Sequence, residues 1–354
     1  MATAEIQIQP NPPILDAHAH VDIGMDRPKF DPARHLRYVP PAKRRSFTEL
    51  GLDAKTPPID MCITEPFELF TEEAVRLFRR ELFQPEVFDN YMHSWARAPC
   101  VIRGIAPTVS QFIYDAWMHP ATLKAVSDAA GIDLVPVMDW EIGHTNVQVG
   151  SKGLAGVRDL GEIPTPALSA EEVASISQGE DDNRLVDDWH VDSYQFVCVV
   201  MLSDASTMLG GETAIENGSG EVIKVRGSQM GGAVVLQGGY TKHAAFRTIG
   251  AAERVTMVTS FRPKSLALRD HSTLRNITSA TSDMTEVHYQ FASYRVRLVS
   301  ERAQDLLRRL EERKRSLPGQ EVIGREELND WVEEQVDHLR TTVYEMFDRV
   351  KDTW

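Results

Sequence analysis

Hydrophobic and polar positions change their spacing twice along this chain. From Thr71, the run TEEAVRLFRRELF sets Val75, Leu77, Phe78 and Leu82 at helical intervals behind a Thr cap and two acidic first-turn residues, which predicts a helix over 71–83. Further helices are predicted over Glu86–Ala98, Ser110–Trp117 and Pro120–Ala130. The last opens with a proline where a helix tolerates one and closes at Gly131. Between about 133 and 263 the spacing drops to two or to short apolar runs: DLVPVMDWEI, HTNVQVG, YQFVCVVMLS, TAIEN, EVIKV, GAVVLQ and ERVTMVTSF. Thr213–Val225 reads as a hairpin that turns at Asn217-Gly218-Ser219-Gly220. Consecutive short strands with glycine-rich turns predict an antiparallel sandwich or barrel. Helical spacing returns after Pro263, over 286–315 and again from about 325, where Leu328, Trp331, Val332, Val336, Leu339, Val343, Phe347 and Val350 form one stripe. That stripe is expected to cover the chain's own β-core, with a homodimer contact through the C-terminal helices as its rival.

Ten of the 19 prolines fall in the first 66 residues, so the N-terminal part is expected to run extended over the surface. The chain then divides into a Pro-rich arm (1–70), a helical layer (71–132), a β-core (133–263) and C-terminal helices (264–354), integrated as one catalytic domain. Thirty-eight Lys and Arg against 52 Asp and Glu give a net charge of −14, the wrong sign for a partner built of phosphates. Nucleic acid is therefore excluded as an expected partner. Cys62, Cys100 and Cys198 form no CxxC pair, which argues against a disulfide framework or a thiolate zinc site and for a reducing compartment. The longest apolar run, Phe196–Leu202, is seven residues, too short to span a bilayer, and the N-terminus lacks a secretory pattern. The expected setting is cytoplasmic.

The chemistry begins at Trp189-His190-Val191-Asp192. Residues i and i+2 of a strand share a face, so an imidazole and a carboxylate converge there. An unpaired inward carboxylate costs several kcal/mol, and a divalent metal is one way to offset it. Fifty residues on, after room for two hairpins, comes His243; ERVTMVTSF then puts Arg254, Thr256, Val258 and Ser260 on one face. An inward guanidinium beside a hydroxyl makes a fork for a carboxylate. Two histidines and one carboxylate supply one face of an octahedron and leave three positions open, the pattern suited to non-heme Fe(II).

Taken together, HxD, a distal His and Arg-x-Thr resemble the Fe(II)/2-oxoglutarate-dependent dioxygenase superfamily. Gly210-Gly211-Glu212-Thr213 and GGAVVLQGGYTKHAA are similar to the turn-and-strand segments that flank the ligands in that family, and the likeness covers Leu134 to Pro263. The resemblance implies a double-stranded β-helix (jelly roll) core flanked by N- and C-terminal helices. It makes His190, Asp192 and His243 the iron ligands and Arg254, with Thr256, the anchor of 2-oxoglutarate, Arg262 being the rival anchor. It further implies O2 consumption, succinate and CO2 release, ascorbate as a helpful reductant, and oxidation of a C–H bond by hydroxylation, desaturation or ring closure. The helical additions look like those of small-molecule oxygenases of secondary metabolism, with an amino acid or a derivative of one among the substrates considered.

Candidate substrate contacts follow from the same alternation. His144, Asn146 and Gln148 share a strand face that contacts ligand or else is a solvated edge. Tyr194 points inward with the ligands or is a core aromatic, and Arg247 is a substrate-carboxylate partner or a surface residue. A rival motif, Asp16-Ala17-His18-Ala19-His20, resembles the first-strand HxH of metal-dependent amidohydrolases, whose (β/α)8 barrel would need strand–helix alternation that 133–263 lacks. A jelly roll that binds a small molecule without catalysis is the third class considered.

Overall fold

The computed structural model describes residues 28–94, 100–149, 153–166, 169, 171–172, 185–206, 208–225, 229–246, 248–249, 251 and 253–347. His18, His20, Arg247 and Val350 lie outside the described residues. Helices are α1 (Pro32–His35), α2 (Glu72–Leu82), α3 (Pro85–Asn90), α4 (Gln111–Met118), α5 (Pro120–Ala130), α6 (Gly153–Val157), α7 (Met284–Ser316) and α8 (Arg325–Glu345). Strands are β1 (Leu36–Val39), β2 (Arg44–Arg45), β3 (Ile63–Thr64), β4 (Phe67–Phe70), β5 (Met92–His93), β6 (Val101–Ile102), β7 (Leu134–Pro136), β8 (His144–Val149), β9 (Leu185–His190) and β10 (Phe196–Met201). They continue with β11 (Leu209–Gly210), β12 (Thr213–Glu216), β13 (Val222–Val225), β14 (Gly232–Leu236), β15 (His243–Phe246), β16 (Thr248–Ile249) and β17 (Glu253–Pro263).

Every strand pairing among these residues is antiparallel, so a parallel (β/α)8 barrel is excluded. The large sheet runs β1-β4-β14-β10-β17-β8-β6-β5, and a smaller one runs β13-β12-β15-β9. The predicted hairpin is present, with Thr213 opposite Val225 and Glu216 opposite Val222. The two sheets face each other, and Val197, Val234, Leu236 and Val258 of the large one pack with Ile215 and Val225 of the small one.

Period two sorts the central strands cleanly. On β10 and β17, Phe196, Cys198, Val200, Val255, Met257 and Phe261 face outward and pack with Leu77, Phe78, Phe112, Trp117 and Ala125 of α2, α4 and α5. The alternate residues, including Val197, Val199, Arg254, Thr256, Val258 and Ser260, line a cavity between the sheets. Both faces of β17 are thus covered, and ten of its 11 residues are buried.

Four expectations are corrected. The N-terminal segment is more than a wrapping arm: β1, β3 and β4 extend the large sheet, and Phe67, Leu69 and Phe70 enter the core. The helix expected over Glu86–Ala98 ends at Asn90, whose side-chain amide donates to the Glu86 carbonyl at 2.9 Å. Met92 and His93 then pair with Ile102 and Val101, so ladder hydrogen bonds replace helical ones, while 95–98 lie outside the described residues. The run 133–142 is a strand only to Pro136 and closes in a 3-10 turn over Asp139–Glu141. Lastly, α8 turns its polar side inward: Gln335, His338, Thr342 and Glu345 are buried, whereas Leu328, Val332, Leu339 and Val343 are exposed and Trp331, Val336 and Phe347 half-buried. The surface it meets decides this, because Arg295 of α7 donates to Thr342 Oγ1 (2.6 Å) and Arg302 to Gln335 Oε1 (3.3 Å). No helix among the described residues is long and apolar enough to cross a membrane. Cys62, Cys100 and Cys198 are buried and unpaired.

Candidate metal centre and cavity

His190 closes β9 and His243 opens β15, and the two are directly paired across the small sheet. Their rings lie 4.3 Å apart between centroids. Asp192 is not on the strand as the period-two reading supposed. It sits two residues beyond the end of β9, where its N–H donates to the Gly238 carbonyl at 2.8 Å. The convergence holds all the same: Asp192 Oδ1 is 3.3 Å from His190 Nε2, and Oδ2 is 3.6 Å from His243 Nε2.

Both imidazoles are oriented by their own backbone. His190 Nδ1 lies 2.6 Å from the Asp188 carbonyl oxygen and His243 Nδ1 2.9 Å from that of Thr241. Nδ1 donates in each case, which orients the rings and directs both Nε2 atoms at the carboxylate. One ligand atom from each of the three residues lies within 4.8 Å of the others. Two imidazole nitrogens and a carboxylate on one side, open to a cavity on the other, suit a divalent first-row metal such as Fe(II).

The cavity has a volume of about 160 Å³. Arg254 stands toward one end of its β17 wall, 8% exposed, donating to the Gly211 carbonyl at 3.2 Å and 3.5 Å from Thr256 Oγ1. Its Nε has no hydrogen-bond partner. Burial pushes the guanidinium down to about 10, and the Glu212 carboxylate opposes that fall, so it is cationic at neutral pH. A buried cation with an unused donor beside a hydroxyl is prepared for an incoming carboxylate. Arg262 points elsewhere, with its guanidinium over the Tyr294 ring.

The substrate candidates separate. Asn146 and Gln148 line the cavity opposite Thr256 and Arg254. Gln148 is partly committed, exchanging two 3.3 Å hydrogen bonds with the backbone of Thr248. His144 also lines the cavity; burial, and then the nearby Arg103, push it down to about 3, so it is neutral. Tyr194 combines both of its readings, since it packs with Val137, Trp140 and Ile277 and also borders the cavity.

Two charged residues in the wall escaped the sequence reading. Arg103 and Glu141 form a buried ion pair, and Ser260 Oγ donates to Glu141 Oε2 at 3.3 Å. Each interrupts an apolar run, VIRG or DWEI, and that interruption is the signal the sequence offers. Gly104 shapes this corner: at φ +71° its absent Cβ would stand 2.4 Å from the Trp140 ring.

No protein-family model and no curated protein matches the sequence. Among solved structures, the chain is similar to a 2OG-Fe(II) oxygenase family oxidoreductase from Burkholderia pseudomallei, at 13% identity and TM-score 0.32, over 50% of this chain and 75% of that one. It is also similar to a Pseudomonas putida prolyl-4-hydroxylase, at 12% identity and TM-score 0.32, over 55% and 89%. A third is HygX from Streptomyces hygroscopicus with nickel, 2-oxoglutarate and hygromycin B bound, at 14% identity and TM-score 0.26, over 47% and 70%.

Proposed function

We propose that the protein is an Fe(II)- and 2-oxoglutarate-dependent oxygenase that oxidises a C–H bond of a small organic substrate. The observation that carries this reading is the pairing, in one cavity, of a His-Asp-His cluster whose two Nε2 atoms converge on one carboxylate with a buried guanidinium that has a donor to spare. In this reading the two facing antiparallel sheets are the halves of a double-stranded β-helix.

His190, Asp192 and His243 would hold the metal, and Arg254 with Thr256 would bind the distal carboxylate of 2-oxoglutarate. Bound Fe(II) with 2-oxoglutarate and O2 supplies the oxidising equivalent; for a hydroxylation, substrate C–H, O2 and 2-oxoglutarate become alcohol, succinate and CO2. The rest is the chain's own work. Asp188 and Thr241 carbonyls orient the two imidazoles. Val197, Val199, Val234 and Leu236 give the cavity an apolar wall that keeps water from the reacting groups. Asn146 and Tyr194 face the substrate side, and Gln148, tied to Thr248, steadies the strand beside Arg254.

Succinate release from 2-oxoglutarate tests the reading. It should require Fe(II) and O2, be helped by ascorbate, and vanish in His190→Ala and Asp192→Ala. Turnover under strict anaerobiosis without 2-oxoglutarate would point instead to a hydrolase, and ligand binding with no succinate to a binding protein.

A further inference from the structure

The inner face of β17 runs from Arg254 to Ser260, about 20 Å of strand at 3.3 Å per residue, and carries a guanidinium site toward each end. At one end is Arg254. At the other, Ser260 hydrogen-bonds Glu141, which is ion-paired to Arg103. His144 pairs with Val258 of the same strand, two residues before Ser260, and lines the cavity. The second end is therefore separate from the cosubstrate anchor and opens on the same cavity.

This corner is a built polar site in an apolar setting. Arg103 is 6% and Glu141 1% exposed. Arg103 Nε and, elsewhere in the cavity lining, Thr281 Oγ1 are buried without a hydrogen-bond partner, and the buried Tyr194 hydroxyl faces the Glu141 carboxylate. An unpaired buried donor costs stability, a cost that a ligand removes by accepting from it. What sets this pair apart from the buried Arg79–Glu253 pair is that both of its members line the cavity.

Charge narrows the ligand. The guanidinium and the carboxylate cancel, and neutral His144 adds nothing, so a group with net charge buried here would leave one charge uncompensated. A head group with no net charge, offering an acceptor to Arg103 and a donor to Glu141, satisfies both.

Building on the oxygenase reading, the geometry points to a substrate held at Arg103 and Glu141 by a net-neutral dipolar head group, either an α-amino-acid zwitterion or a primary carboxamide. Tyr194 flanks it as a further hydroxyl partner. The substrate carbon to be oxidised then lies on the part of the molecule that extends from this anchor toward the His-Asp-His cluster.

The test is calorimetry on Ni(II)-substituted protein with 2-oxoglutarate bound, so that no turnover is needed. The probes are the coded amino acids, the primary carboxamides of the matching deamino acids, the deamino carboxylates themselves and the matching decarboxylated amines. The expected result is that at least one amino acid or amide binds at least tenfold tighter than its singly charged analogues. Amino acids and amides are thereby separated from each other as well. In Glu141→Gln, which keeps size and removes the negative charge, the preference for the zwitterion over the deamino carboxylate should shrink at least tenfold while 2-oxoglutarate binding is unchanged. Ser260→Ala should weaken the same probe severalfold. Equal or tighter binding of the charged analogues, or no probe binding to a protein that still binds 2-oxoglutarate, overturns the inference. Failure of 2-oxoglutarate itself to bind would instead sink the oxygenase reading.

Discussion

Gly238 and Asp192 approach so closely that no side chain fits between them: a Cβ on Gly238 would stand 1.8 Å from Asp192 Oδ2. The Gly238 carbonyl also accepts the Asp192 N–H at 2.8 Å, so one glycine places both the backbone and the carboxylate of a metal-ligand candidate. Gly238→Ala should push the carboxylate out of line with the two Nε2 atoms. The expected loss of metal affinity is about 10- to 100-fold, the range typical when a ligand's supporting contact is removed. Ni(II) titration followed by calorimetry measures it. Wild-type affinity in the variant would show that Asp192 is not held by this contact.

For the cosubstrate, Arg254→Gln should cost about 2–5 kcal/mol of 2-oxoglutarate binding, the worth of a buried charge-assisted contact, and Thr256→Val about 1 kcal/mol. Gly211→Ala should act in the same direction without touching the arginine itself, because its Cβ would come 3.2 Å from Arg254 Nε. Arg262→Gln, its guanidinium lying over Tyr294, should leave the affinity unchanged. The reverse pattern, sensitivity at Arg262 and none at Arg254, would move the anchor.

How far the sequence disclosed this site depends on how local each signal is. Period-two alternation placed Arg254, Thr256 and Asn146 on the cavity side because a strand's faces are fixed by its own backbone. The convergence of His190 and Asp192 came out right although Asp192 lies past the strand, since its position depends on a hydrogen bond to Gly238, 46 residues away. Arg103 and Glu141 were hidden for the same reason: their pairing joins a short strand near residue 102 to a 3-10 turn near 140, and neither segment carries a period that announces it. The stripe on α8 misled because hydropathy cannot tell which surface a helix will meet. The buried guanidinium groups of Arg295 and Arg302 drew polar residues inward instead.

That junction and the cavity wall together predict acid sensitivity. Burial pushes His144 down to about 3 and His338, beside Arg295, to about 4. Both folded values lie below the ordinary 6.5, so the unfolded chain takes up protons first as pH falls. The stability these neutral histidines contribute is complete above about 6.5 and is lost toward 4 for His338 and toward 3 for His144, by up to about 1.4 kcal/mol per pH unit each. Urea unfolding at several pH values between 7.5 and 4.5 should show this decline, and His338→Gln should flatten it. A wild-type stability that stays level over that window would contradict the burial of both rings as neutral groups.

The last expectation concerns the residue next to the cosubstrate anchor. Glu253 begins β17 and faces the helical layer, where Arg79 of α2 meets it with two hydrogen bonds of 2.7 and 3.0 Å, both side chains being almost fully buried. Arg79 also donates to the carbonyls of Leu202 and Gly161, and Glu253 accepts from Ser203 and Thr165. With every neighbour committed to the pair, removing one partner leaves a buried charge that nothing nearby can satisfy. Arg79→Ala should therefore lower the unfolding free energy by about 3–5 kcal/mol, whereas Arg79→Met combined with Glu253→Leu should recover a good part of that loss. Because alternation sends residue 253 to one side of the strand and 254 to the other, the folded double variant should bind 2-oxoglutarate as the wild type does. A parallel fall in 2-oxoglutarate affinity would instead make the pair a positioning device for Arg254, acting through the backbone of β17.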